Sequence, residues 1–222
     1  MSGPLKTYPG KRLFDLALLC LSIPLLPMVM IIAVLVYLFH GSPILFRQRR
    51  AGLHGVPFEI LKFRSMTNEV DDYGNPLPDA DRLTTFGRFV RLTSLDEVPE
   101  LLNVLRGDMS IVGPRPLHLR YVERYSPEER RRLDVLPGIT GWAQVNGRNG
   151  ITWEERFARD LEYIDQMSFG LDLKVLLLTA FRVVAGSGIN QSGHATMTEF
   201  VGSKARHQAA LTEMEQLKRQ AQ

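Results

Sequence analysis

Two adjacent carboxylates, Asp96 and Glu97, sit in the stretch Ser94-Leu95-Asp96-Glu97-Val98-Pro99-Glu100, just ahead of the apolar run Leu101, Leu102, Val104 and Leu105. Proline is tolerated in the first turn of a helix and not in its middle, so the N-cap is placed near Asp96 and the helix over roughly 97–105. Both carboxylates then lie at the positive end of a helix dipole, where they stay ionised and where phosphate also binds. Two readings compete. Ser94 with Glu97 fits the S-x-x-E capping box, a common structural device. Alternatively, an anionic nucleophile works here beside phosphate, and that chemistry requires cations around it.

The chain offers such cations. A helix predicted over 82–91, with Leu83, Phe86, Phe89 and Val90 on one face, delivers Arg88 and Arg91 close to Asp96 in sequence. Arg115 stands between Pro114 and Pro116, which restrict its backbone and so the directions of its guanidinium. Two β-prone runs, 44–50 and 56–64, flank a glycine-bearing turn and predict a hairpin that carries Arg47, Arg49, Arg50, Lys62 and Arg64. Residues 67–81 are acidic and turn-rich and read as a surface loop. Glu128 to Arg132 reads as solvated surface. Thr152 and Glu155 form a capping box for a helix running to about Met167, and Arg148 is presented on the glycine-rich loop before it. Asp172 opens an apolar-biased stretch too short to span a bilayer, which is therefore buried core or an interfacial helix.

Residues 16–39 carry no charge and are long enough to cross a membrane. No small-residue cleavage site follows, so a cleaved signal peptide is set aside. A helix that enters the membrane and returns by the same face fits better than a simple span. Ser22, Pro24 and Pro27 lie inside the run, where each proline removes a helical hydrogen bond and bends the axis. Lys6, Lys11 and Arg12 precede the run and Arg47, Arg49 and Arg50 follow it, so both ends carry the positive charge of a cytoplasmic flank.

The chain has 222 residues and a net charge of +3, enough for one sizeable domain plus a membrane element. No nucleic-acid-binding motif appears. The single cysteine, Cys20, excludes an intramolecular disulfide and a cysteine zinc site, and its apolar surroundings read as packing. His40, His54, His118, His194 and His207 lack the spacing of a helical metal site. The tail from Lys204 places Leu211, Met214 and Leu217 at helical spacing without evident chemistry.

Seven stretches, in this order, resemble the bacterial sugar transferases, specifically the small monotopic phosphoglycosyl transferases: Lys11-Arg12-Leu13-Phe14-Asp15, Phe46-Arg47-Gln48-Arg49-Arg50, Lys62-Phe63-Arg64-Ser65-Met66, Ser94-Leu95-Asp96-Glu97, Gly107 through Pro116, Pro137 through Trp142, and Gly147-Arg148-Asn149. The resemblance runs from Lys11 to about Gly202. It implies transfer of a sugar-1-phosphate from a UDP-sugar to undecaprenyl phosphate with release of UMP, the first membrane step of glycoconjugate assembly, at the cytoplasmic face of the bacterial inner membrane. Asp96 is then the nucleophile that forms an aspartyl phospho-sugar, and Glu97 assists with proton handling and positioning. Lys62, Arg91, Arg115 and Arg148 bind phosphate. Asp172 belongs to the active region, and Asp96 ligates the required Mg2+. Ser22 and Pro24 mark the break of the membrane helix, although Ile23 separates a serine and proline that are adjacent in some relatives. Longer relatives carry transmembrane helices ahead of the catalytic domain, so the chain resembles the minimal catalytic form.

The implied fold is mainly α with a small β-hairpin, a monotopic membrane protein with a re-entrant N-terminal helix and interfacial amphipathic helices, and not a Rossmann-type fold. Its parts are a leader and membrane helix (1–40), a catalytic domain (41–202) and a tail (203–222). The run Gly188 to Met197 resembles members that take N-acetylated amino sugars such as UDP-N,N'-diacetylbacillosamine. Two other classes remain open. A membrane-surface scaffold would bind anionic lipid, with Asp96 and Glu97 only capping a helix. A metal-dependent phosphohydrolase would transfer to water and need no lipid.

Overall fold

Lys11–His40 is apolar and long enough, at 30 residues, to cross a membrane. The computed structural model, which describes residues 5–147, 150–185 and 199–202, divides it into α1 (Lys11–Ser22) and α2 (Leu26–His40). Between them lies a 3-10 turn over Ile23–Leu25, with Pro24 in its first positions and Ser22 before it. Ser22 Oγ donates to the Leu19 carbonyl at 2.7 Å, occupying an acceptor that the interrupted helix leaves free. Leu21, Ile23, Leu25 and Leu26 at the break are exposed. Cys20 is exposed too, a correction to its reading as a packed residue, because it sits on the outer surface of α1.

Both ends of this segment are tied to the rest of the chain. Lys11 is buried, and Asp15 Oδ1 accepts from Ser110 Oγ and the Ile111 amide, each at 3.0 Å. Arg12 donates to the carbonyls of Val104 and Leu105 at 2.6 and 2.9 Å. Lys11 and Arg12 are thus engaged by groups of the folded body, Lys11 buried and Arg12 exposed. At the far end, Ile32 and Val36 of α2 pack with Phe63, and His40 Nε2 lies 2.9 Å from Thr84 Oγ1.

The hairpin forms as expected. Strand β1 (Leu45–Ala51) pairs antiparallel with β2 (Pro57–Phe63), in a register that puts Phe46 opposite Lys62. Its turn needs the left-handed backbone of His54 (φ 54°) and Gly55 (φ 78°). The helix expected over 82–91 is instead two pieces, α3 (Asp79–Arg82) and α4 (Thr85–Leu92), because Leu83 is extended and Thr84 caps α4 through the Gly87 amide. Gly87 has no room for a side chain, since a Cβ there would stand 1.8 Å from the Ser65 carbonyl oxygen. That close approach sets α4 directly against the end of the hairpin.

Helix α5 spans Glu100–Arg106, so the helix starts after Pro99 and not at Glu97. Asp96 and Glu97 lie in a separate 3-10 turn, Leu95–Glu97. Fully buried Asn103 fastens α5 to β2, accepting from the Leu61 amide at 3.1 Å and donating to the Glu59 carbonyl at 2.7 Å. Strand β3 (Ser110–Val112) pairs parallel with β4 (Gly138–Thr140), a second small sheet that periodicity did not indicate. Short helices α6 (Pro127–Arg130) and α7 (Trp142–Val145) precede α8 (Trp153–Gln166) and α9 (Phe169–Ala185). Thr152 and Glu155 make the predicted capping box of α8.

The main core joins Ile60, Val104, Met109, Val112, Tyr163 and Val175. An aromatic cluster of Tyr121, Tyr125, Trp153, Phe157 and Phe200 lies beside it. In the stretch 128–132, Glu128 and Arg130 are exposed as expected, but two residues are not solvated surface. Glu129 is buried in the capping box of α6, and Arg132 is buried in an ion pair with Asp160 at 2.8 Å.

Candidate active site

The turn that carries the two carboxylates is held by its apolar members. Leu95 and Val98 pack against the cluster of Ile32, Val36 and Phe63, which wedges the turn between α2 and β2. Ser94, which enters the turn, has a left-handed backbone (φ 58°) and makes no side-chain cap. The capping-box reading therefore fails. A non-glycine residue in that region stores strain that the surrounding packing must hold.

Glu97 is engaged by two cations. Its Oε1 accepts from Lys62 Nζ at 2.7 Å and from Arg115 Nη2 at 2.6 Å. Although burial opposes its charge, Arg115 and Lys62 hold its carboxyl well below the usual carboxylate range. Asp96 is different. Among the described residues it makes no ion pair and no side-chain hydrogen bond. Burial pushes its carboxyl up, Glu97 adds to the effect, and Lys62, Arg115 and Arg91 oppose it. Of two neighbouring carboxylates, one is tied down and the other keeps its lone pairs and a raised basicity.

The cations are themselves positioned. Arg91 donates from Nε to Ser65 Oγ at 2.8 Å, across the contact that Gly87 permits. Arg115 is steered by its flanking prolines, and Arg132 Nη2 donates to the Arg115 carbonyl at 2.8 Å. The Arg132–Asp160 pair is thus a buried brace behind Arg115. Lys62 also stands 3.1 Å from Glu100, which is fully buried.

Beside the turn lies a cavity of about 340 Å³. Its lining includes Arg91, Ser94, Glu97 and Arg115, together with Arg156 of α8 and Thr179, Arg182 and Val183 of α9. The structure therefore brings together Lys62, Arg91, Asp96, Glu97 and Arg115. It does not place Asp172 with them: Asp172 is fully buried in a network with Lys11 (2.6 Å), Tyr163 (2.7 Å) and Tyr8 (2.8 Å). Arg148 lies outside the described residues, as do the run 188–197 and the tail. Ser22 and Pro24 sit at the helix break, within the apolar N-terminal segment.

Arg156, Arg182 and Glu100 were not picked out from sequence. A signal existed for Arg156: with Trp153, Phe157, Asp160, Tyr163 and Ile164 it falls on the buried stripe of α8, where an unexplained charge is informative. Glu100 shares the buried face of α5 with Asn103 and Val104.

Known proteins are similar to this chain over much of its length. A family model described as bacterial sugar transferase matches residues 6–186. The chain is 50% identical over 198 residues to the uncharacterized sugar transferase EpsL of Bacillus subtilis, covering 87% of this chain and 96% of that one. It is 46% identical over 170 residues to the UDP-glucose:undecaprenyl-phosphate glucose-1-phosphate transferase of Xanthomonas campestris, covering 71% of this chain and 35% of that one. With the undecaprenyl-phosphate galactose phosphotransferase of Salmonella typhimurium the identity is 37% over 185 residues, covering 72% of this chain and 39% of that one. The chain thus spans little more than a third of the length of the latter two.

Proposed function

Because the chain belongs to the bacterial sugar transferase family, we propose that it moves a sugar-1-phosphate from a UDP-sugar to undecaprenyl phosphate and releases UMP, by covalent catalysis at Asp96. The observation that carries this reading is the division of labour between the two carboxylates, Glu97 bound by Lys62 and Arg115 and Asp96 free of both. Asp96 Oδ attacks the β-phosphorus of the donor, and the bond from that phosphorus to the bridging oxygen breaks, its electron pair leaving with UMP. An oxygen of the lipid phosphate then attacks the same phosphorus. The bond to Asp96 breaks, and the carboxylate is restored. Splitting the displacement in this way replaces one hard step by two easier ones.

A diphosphate repels an incoming carboxylate, and Lys62, Arg91 and Arg115 offset that repulsion. Arg148 joins them in this reading. Glu97, kept ionised, orients Lys62 and Arg115 and does not carry protons. Magnesium prefers carboxylate and phosphate oxygen, and Asp96, a carboxylate without an ion pair among the described residues, suits it. When bound it would supply positive charge beside the donor's phosphates. The scaffold reading required these carboxylates to cap a helix, and α5 begins after Pro99 with no side-chain cap.

In this account the protein is monotopic, at the cytoplasmic face of the bacterial inner membrane. Support comes from the two ends of the apolar segment, which dock on the same body through Lys11 and Asp15 at one end and Val36 and His40 at the other. The exposed apolar side chains of α9, Leu173, Leu177 and Phe181, suit an interfacial helix that brings Asp96 level with a lipid phosphate. Tags at Ser2 and Gln222 are expected to report from the cytoplasm; opposite compartments would establish a true span. For the sugar, the proposal is an N-acetylated amino sugar, UDP-N,N'-diacetylbacillosamine among the candidates. The test is UMP release with magnesium across UDP-glucose, UDP-galactose and UDP-linked acetamido sugars, with and without undecaprenyl phosphate. Turnover that requires one donor and the lipid supports the reading; turnover to water without lipid would move it to a phosphohydrolase.

A further inference from the structure

One group in the site has no part in the mechanism above. Glu100 is completely buried at the start of α5; its Oε1 has Lys62 Nζ at 3.1 Å as its one polar partner among the described residues, a contact without good hydrogen-bond geometry, and its Oε2 receives no hydrogen bond. The same ammonium stands 2.7 Å from Glu97. One lysine is therefore shared by two carboxylates, and the deeper of the two is poorly satisfied. A buried carboxylate held by one shared, poorly aligned partner is unfavourable, and the usual relief is to take up a proton.

We propose that Glu100 is a positioning residue of the transfer reaction: it shares Lys62 with Glu97, and it takes a proton from solvent when the ammonium turns to the donor's phosphates. The inference rests on the reading of Lys62 as a phosphate-binding cation. Charge around Glu100 supports it. The groups that act on it are Lys62 on β2, Glu97 on the 3-10 turn, Arg115 on the proline-flanked loop and Arg50 on β1. Of these only Lys62 is close enough to pair with it. Burial and the charge of Glu97 raise its carboxyl to about 7 against the pull of Lys62 and Arg115. When Lys62 moves toward a bound phosphate, Glu100 loses its counter-ion and gains a negative neighbour, and both changes favour the protonated acid. One proton is taken up as the donor binds and is released when the site empties.

The consequence is a donor affinity that depends on pH. With Glu100 ionised, Lys62 is held by two negative charges and phosphate competes poorly for it. KM for the UDP-sugar in wild type is expected to rise about tenfold between about pH 6 and about pH 8.5, with a smaller change in kcat. In Glu100→Gln, which keeps the shape and an acceptor for Lys62, KM should stay flat over that range.

Stability gives a second readout that needs no substrate. A carboxyl whose folded pKa lies above its unfolded value binds more protons when folded, so stability falls as pH rises from the unfolded value through about 7 and is level above that. Glu100→Gln escapes this loss. It should melt about 5 °C above wild type near pH 8.5, with the gap shrinking toward pH 5. Parallel KM profiles in the two proteins, or a wild type at least as stable as the variant near pH 8.5, would overturn the proposal. If Glu100→Gln does not fold, Glu100→Met replaces it in both measurements with the same expectations, and a Met variant less stable than wild type near pH 8.5 overturns the proposal equally. Should wild type release no UMP from any donor, the transfer reading fails on its own, and the thermal comparison still decides whether Glu100 holds its proton.

Discussion

Asp96→Asn is expected to lower the rate of UMP release by at least about 10³-fold while the protein stays folded and membrane-bound. The amide occupies the same volume but has no anionic oxygen with which to attack phosphorus. Packing should hardly notice the change, because Asp96 makes no ion pair or side-chain hydrogen bond among the described residues and the turn is held by Leu95 and Val98. Removing a partly buried negative charge beside Glu97 relieves repulsion, so melting should be unchanged or slightly raised. Glu97→Gln behaves differently. It takes charge away from the point where Lys62 and Arg115 converge, so stability and activity should fall together. An Asp96→Asn protein that retains substantial turnover would remove Asp96 from the nucleophile's role.

Asp172→Ala is expected to destabilise the protein by about 3–5 kcal/mol, the usual consequence of leaving one partner of a buried ion pair uncompensated. Lys11 and Asp172 meet at 2.6 Å with side-chain exposures of only 8% and 0%, which leaves solvent no room to take over either charge. Lys11 also donates to the Val112 carbonyl at 3.0 Å, while Tyr163 and Tyr8 complete the carboxylate's shell. This network joins the base of the apolar N-terminal segment to α8, α9 and β3. Its loss should loosen how α1 is seated before it touches the chemistry. Denaturation of the variant in detergent measures the effect. The double change Lys11→Met with Asp172→Leu, which leaves no unpaired charge, should recover much of the stability. If Asp172→Asn instead melted like wild type and lost UMP release, Asp172 would act in catalysis and not as an anchor.

Much of this site could be read from the sequence, and the parts that could not have physical reasons. Local signals worked where the cause was local. Thr152 and Glu155 announce a capping box, and Gly52 to Gly55 a hairpin turn. Pro99 marked a helix start but set it too early, since a 3-10 turn and an α-helix share the same short-range pattern and only Leu95 and Val98 packing on α2 separates them. Charges were the hardest to place. Lys11 and Arg12 look like the flank of a membrane helix, yet their partners, Asp172, Val112, Val104 and Leu105, are some 90 to 160 positions away in sequence. Arg132 looked like solvent-exposed surface for the same reason, its partner Asp160 lying on another helix. Glu100 carries no sequence signal of its own, because its burial depends on how α5 meets the hairpin.

The most direct measurement is made without the lipid acceptor. Purified protein is mixed with magnesium and a stoichiometric excess of its UDP-sugar, and released UMP and intact protein mass are followed together. The account predicts a burst approaching one UMP per protein, a mass increase of one sugar phosphate that maps to the peptide containing Asp96, and disappearance of both in Asp96→Asn. Adding undecaprenyl phosphate should return the protein to its original mass. UMP release only when donor and lipid are present together, with no change in protein mass on any timescale, would mean direct transfer between the two substrates and would contradict a covalent role for Asp96.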